Sequence, residues 1–133
     1  MRAEARFFKS LADETRLKIL WLLSGTEELC ICDVIDVLKI TQSKACRHLR
    51  YLDHLGWVTD RRDGLWMNYR LTVPPGSARE KLLKLLTEML APLPEAQALR
   101  GQLAHILEAK QGPQCIKRLK PERTSSPQSL SET

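Results

Sequence analysis

Three observations predict a mainly α fold that carries one small β-hairpin. Apolar residues recur at helical spacing through residues 4–23, 30–55 and 77–110. The period shortens to two on either side of Asp63-Gly64, which is the pattern of a hairpin. From about Lys117 onward the chain is polar, with Pro, Ser, Thr and charges and almost no apolar residues.

The first stretch, with Phe7, Phe8, Leu11, Leu17, Ile19, Leu20, Leu22 and Leu23, reads as two helices. The break falls near Asp13 or Thr15, either of which suits an N-cap. Ser24-Gly25-Thr26 closes it as a loop. A short apolar helix is expected from about Cys30 to Leu38. After a turn at Lys39-Ile40, a second begins with Thr41 as N-cap and runs to about Leu55, where Gly56 ends it. In the second hairpin strand, Leu65, Met67, Tyr69 and Leu71 share one face, with Trp66, Asn68 and Arg70 on the other. Pro74-Pro75-Gly76 breaks the chain. Ser77-Ala78-Arg79-Glu80 reads as a capping box that opens a further helix. Pro92 and Pro94 interrupt it, and a last helix runs from about Glu95 to Lys110. We therefore divide the chain into one domain, residues 1–112, and a flexible tail, residues 113–133.

With 133 residues the chain can bury one hydrophobic core. Its 43% hydrophobic and 28% charged residues are ordinary for a globular protein. No apolar run is long enough to span a membrane, and no apolar stretch follows the N-terminal charges as in a secretory signal. A cytoplasmic location is the expectation. An enzyme is not: there is no Gly-rich phosphate loop, no paired carboxylates in a recognisable pocket and no nucleophile with a base. The net charge of +5 is modest, so its placement matters more than its size.

Two short helices, a tight turn and a hairpin make a winged helix-turn-helix. In the second helix Ala45, Leu49, Leu52 and Leu55 line one side, while Gln42, Ser43, Lys44, Arg47, His48 and Arg50 hold most of the rest. Gln pairs with adenine edges and Arg with guanine in the major groove. A serine at a helix N-terminus suits phosphate oxygens. Arg61 and Arg62 on the hairpin, with Arg70 further along, supply a basic wing that neutralises phosphates. The candidate DNA-binding residues are Gln42, Ser43, Lys44, Arg47, His48, Arg61 and Arg62, and the partner is double-stranded DNA.

LADETRLKIL, ELCICDV, TQSKACRHLRYLDHLGWV and RRDGLWMNYRL, in that order across about residues 5–75, resemble the ArsR/SmtB family of metal-responsive repressors. The resemblance implies a homodimer built through its terminal helices. It also implies an operator that is an imperfect inverted repeat near the protein's own promoter, and a ligand that releases the DNA and derepresses resistance genes. ELCICDV is similar to the ELCVCDL box of arsenic and antimony sensors and of related cadmium and lead sensors. On that likeness Cys30 and Cys32 are thiolate ligands and As(III) or Sb(III) is the inducer, with no tightly bound cofactor. Some members carry a third cysteine where this chain has Ile35. Cadmium and lead sensors add cysteines in an N-terminal arm, whereas none precedes Cys30 here. A zinc site on the last helix would need an Asp/His and His/Glu set, and the helices there offer only His105. The proline-broken helices after Ser77 depart from the single closing helix of the family.

Soft thiophilic centres select thiolates. Trivalent arsenic takes three sulfurs, so Cys115, a cellular thiol or hydroxide is left to complete the set. Cys46 reads as a packing residue. Residues two apart on a regular helix point about 200° from each other. Cys30 and Cys32 therefore converge only at a frayed helix start or if binding unwinds the first turn, which would misplace Gln42 to Arg47. The helix N-terminus favours their ionisation, and Glu28 and Asp33 oppose it. Two alternatives use the same fold: a redox or reactive-sulfur sensor pairing Cys30 or Cys32 with Cys115 or Cys46, and a cadmium or lead sensor. A third is constitutive DNA binding with inert cysteines.

Overall fold

The computed structural model describes residues 1–110. The expected tail, residues 113–133, and Cys115 lie outside the described residues. Helices α1 (Arg2–Ser10) and α2 (Glu14–Ser24) lead into a two-residue strand β1 (Leu29–Cys30). Helices α3 (Ile31–Leu38) and α4 (Gln42–His54) follow, then the hairpin β2 (Val58–Asp63) and β3 (Trp66–Leu71), and finally α5 (Ala78–Leu90) and α6 (Pro94–Lys110). The architecture is a winged helix-turn-helix with two further C-terminal helices, as the sequence predicts. Among the described residues no helix is long and apolar enough to cross a membrane.

Side chains satisfy the backbone groups left open at most helix starts. Asp13, in extended conformation, accepts from the Arg16 amide at 3.1 Å, so the break between the first two helices is its cap rather than Thr15. Thr41 Oγ1 accepts from the Lys44 amide at 3.1 Å. Ser77 Oγ accepts from the Glu80 amide, but the Glu80 carboxylate reaches one residue further back, to the Gly76 amide at 2.8 Å. At the end of α4 the chain closes in a Schellman motif. The amide of Gly56 donates to Asp53 O at 3.0 Å and that of Trp57 to Leu52 O at 2.9 Å, with Gly56 at φ +85°.

The core lies around α2. Ile19, Leu20, Trp21, Leu22 and Leu23 are all buried, a run apolar on every side, because α4, β3 and α6 cover it from different directions. Leu49, Leu52, Trp57 and Val58 join it from the helix-turn-helix and the wing. Phe7 stacks on Trp57 with ring centroids 5.0 Å apart, and Trp57 Nε1 donates to the buried Ser10 Oγ at 3.1 Å. On the other side, Trp21 Nε1 donates to Ala96 O of α6 at 2.7 Å, and the Arg100 guanidinium lies 3.4 Å from the Trp21 ring centroid.

The sheet is antiparallel in the order β1-β3-β2. Strand β1 was not expected from the sequence. It forms because Leu29 pairs with Tyr69 and Cys30 with Asn68. The hairpin register pairs Asp63 with Trp66, so its loop is Gly64-Leu65 with Gly64 at φ +63°, one residue beyond the Asp63-Gly64 turn expected. Leu65 accordingly leaves the inward face assigned to it and stands 94% exposed at the wing tip.

Replacing Gly56 tests the α4 stop. A Cβ there would sit 3.1 Å from Arg79 Nη2 on a backbone of positive φ. Gly56→Ala is expected to lower stability by about 1–2 kcal/mol, read as a fall in the urea midpoint at unchanged slope.

Candidate thiol site and nucleic-acid interface

Cys30 ends β1 and caps α3. Its backbone is extended, at φ −70° and ψ 145°, which swings its sulfur over the first turn of the helix. Cys30 Sγ accepts from the Cys32 amide at 3.3 Å, and the two sulfurs share one hydrogen bond with Sγ···Sγ 2.7 Å. The two side chains thus converge with α3 intact from Ile31 onward, and no unwinding is needed to bring them together. Asp33, only 4% exposed, closes the capping box: its Oδ2 accepts from the Cys30 amide at 3.3 Å.

A residue from the far end of the chain completes the cluster. Lys110, in the last turn of α6, places Nζ 3.2 Å from Cys32 Sγ and donates to Asp33 Oδ1. The sequence reading missed this lysine, since nothing local ties residue 110 to residue 32. The electrostatics are asymmetric. Cys30 is pushed far above the usual thiol value by its hydrogen bond to Cys32, by burial and by the negative charge of its neighbours. Cys32 is pulled down to about 7, first by the hydrogen bond it receives from Cys30 and further by the Lys110 ammonium, against burial and Asp33. Burial works against the Lys110 charge, but Asp33 and Cys32 outweigh it and its pKa is raised. The pair therefore holds one thiolate near neutrality, with a second thiol in contact.

That donor set fits a soft, thiophilic centre. It supplies two sulfurs, and among the described residues no group of three or more His, Cys, Asp or Glu side chains is placed to hold a metal ion. Glu28, expected to oppose ionisation of the pair, is instead engaged on the wing: it takes Arg61 in a two-pronged ion pair at 2.6 and 3.0 Å. Cys46 packs half-buried against the core from α4.

The basic surface lies on α4 and the wing. Gln42, Ser43 and Arg47 are exposed, and Lys44 is half-buried behind them. Arg62 is exposed on β2. Two residues named from the sequence are placed otherwise. His48 is 7% exposed and sits with Nδ1 3.3 Å from Arg16 Nη1. Burial, with the charges of Arg16, Arg47 and Lys44, holds its pKa down against the pull of Asp13. It is a packed partner of Arg16 rather than a surface group. Arg61 is committed to Glu28, as above. The structure adds Arg16, which donates through Nε to Ser10 O at 2.8 Å and lies 4.3 Å from the Tyr51 ring centroid. Arg16, Arg47, Arg50, Tyr51 and His54 line an open cleft of about 810 Å³ beside the exposed face of α4.

Comparison with known proteins places these features in context. A family model described as bacterial regulatory protein, arsR family, matches residues 13–60. The arsenical resistance operon repressor of Escherichia coli (strain K12) is 46% identical over 76 residues, 56% of this chain and 65% of that protein. The arsenical resistance operon repressor of Bacillus subtilis (strain 168) is 35% identical over 71 residues, 53% of this chain and 68% of that protein. The chain thus spans between half and two thirds of the length of most curated relatives it matches. Among solved structures, HlyU from Vibrio cholerae N16961 is similar at a TM-score of 0.58 and 26% identity, over 68% of this chain and 94% of that one.

The asymmetry of the thiols has a direct readout. Iodoacetamide labelling of Cys32, followed by peptide mass spectrometry, is expected to rise with pH through a midpoint of about 7, with Cys30 unlabelled over that range. Equal labelling of both, with midpoints near the ordinary thiol value, would contradict the one-thiolate pair.

Proposed function

The chain belongs to the arsR family of bacterial regulatory proteins, and from that premise we propose that it is a repressor released from operator DNA when As(III) or Sb(III) is held by Cys30 and Cys32. The observation that carries this reading is the 2.7 Å approach of the two sulfurs at the start of α3, with Cys32 drawn toward the thiolate. A trivalent arsenic or antimony centre supplies an electrophile with exchangeable oxygens, which leave as water when thiols condense on it. Cys32 meets it as the ready nucleophile and Cys30 as the second donor. Cys115 is the proposed third ligand, with a cellular thiol as the substitute.

The position of the pair suits a switch. Cys30 is hydrogen-bonded into the sheet opposite Asn68, and Asn68 also pairs with Arg61 of the wing. Its other neighbour, α3, packs under α4. A change in how the Cys30 backbone is held is thereby felt at both DNA-facing elements. On the DNA side, Gln42, Ser43, Lys44 and Arg47 are assigned to the major groove and Arg62 to a flanking phosphate. Dimerisation is assigned to the terminal helices within residues 1–112, where Phe8, Leu85, Met89 and Leu93 are exposed at 56%, 53%, 65% and 45%.

A second reading rests on the same contact. Two adjacent sulfurs, one a thiolate, also suit an oxidant or a polysulfide as the signal. A mass gain on Cys30 or Cys32 after polysulfide, with loss of DNA binding, would favour it.

Two measurements test the proposal. In fluorescence anisotropy on duplex DNA from upstream of this gene, arsenite under reducing conditions is expected to release the wild type but not Cys30→Ser or Cys32→Ser. DNA binding that arsenite leaves untouched would remove the inducer assignment while keeping the DNA-binding one. In the same assay Arg47→Ala is expected to weaken binding about tenfold and to reduce the salt slope by about one.

A further inference from the structure

The cluster at the start of α3 contains a group that thiol ligation does not require. Lys110 reaches back from the end of α6 to donate to Asp33 Oδ1 and to approach Cys32 Sγ at 3.2 Å. Its side chain is 23% exposed and that of Asp33 is 5% exposed, so this is not a solvated surface pair. A lysine in the last turn of a helix is favoured by the helix dipole wherever it points. This one instead joins two elements 77 residues apart in the chain.

The rest of α6 is held by other means. Ala96 O accepts from Trp21 Nε1 at 2.7 Å, and Arg100 Nη2 donates to Trp21 O at 3.2 Å and Ser24 Oγ at 2.8 Å. Leu103 is buried in the core. Those contacts fix the first half of α6 on α2. The last turn has the Lys110 ammonium as its polar anchor on α3. An ammonium is held best by a sulfur that carries negative charge, and a sulfur bonded to an electrophile is a poor acceptor.

We propose that Lys110 makes the C-terminal helix a second reader of the thiol pair: it ties the last turn of α6 to Cys32 and Asp33, and the tie loosens when the Cys32 sulfur is taken. The reader rests on the assignment of Cys30 and Cys32 as the sensing pair. The tie itself is a property of the ligand-free chain. It gives occupancy of the site a route to α6, on the opposite side of α3 from α4, without any change in the fold of α3. Lys110 is a positioning residue and not a ligand.

Hydrogen exchange of the full chain, followed by mass spectrometry, tests this. Residues 104–110 are the reporter and residues 96–100 the internal reference. In the ligand-free protein Lys110→Met and Cys32→Ser are each expected to speed exchange at 104–110 about fivefold and to leave 96–100 unchanged. Lys110→Arg is expected to stay near wild type. The double variant Lys110→Met/Cys32→Ser is expected to exchange no faster than Lys110→Met, because both changes cut one connection. Wild type with arsenite is expected to match Cys32→Ser. The proposal is overturned if the two changes multiply in the double variant, or if Lys110→Met leaves 104–110 unchanged. It is equally overturned if intact mass shows arsenite bound while exchange at 104–110 stays that of the free protein. If no arsenite binds but the variants behave as expected, the tie stands and the inducer assignment falls.

Discussion

The first turn of a helix leaves amide groups with no partner inside the helix, and at α3 a sulfur answers one of them. Cys30 has extended backbone because it is also the last residue of β1, paired with Asn68. The same conformation carries its Sγ over the helix start, where the Cys32 amide donates to it. Were Cys30 one residue further inside the helix, the two thiols would point about 200° apart and share nothing. Sheet pairing, helix capping and convergence of the sulfurs are therefore one constraint, met at one residue.

Charge around the pair follows from that placement. Two carboxylates flank the thiols in sequence, and each is given its own cation by a distant element. Glu28 is engaged by Arg61 of the wing and Asp33 by Lys110 of α6. With both acids compensated, the repulsion that two neighbouring carboxylates would exert on a thiolate is much reduced. Asp33 contributes twice, since its second oxygen holds the Cys30 amide and with it the cap.

Much of this was legible from local pattern. Asp13, Thr41 and Ser77 are caps because side-chain oxygens beside helix starts answer orphan amides, and that chemistry is written in adjacent residues. Gly56 stops α4 for an equally local reason. The unreadable parts all depend on contacts far apart in sequence. Strand β1 is two residues long and exists because β3 offers an edge. Basic residues look alike in a sequence, yet Arg62 is exposed whereas Arg61 is bound to Glu28, a partner 33 residues earlier. His48 turns inward because Arg16 lies 32 residues away in the chain and beside it in space. Lys110 carried no signal, because a lysine near a helix end is ordinary on grounds of the helix dipole alone.

The burial of five successive residues in α2 bears on how any signal moves through this molecule. A helix enclosed on all sides has no free flank along which its neighbours can slide, and close-packed interiors yield by discrete rearrangement rather than by bending. The recognition helix on one side and α6 on the other are thus mounted on a shared axle that does not flex. Messages between them have to pass around its rim, through side chains such as Lys110 and Arg61. A fold arranged in this way can change what its edges touch while its middle remains a fixed frame of reference.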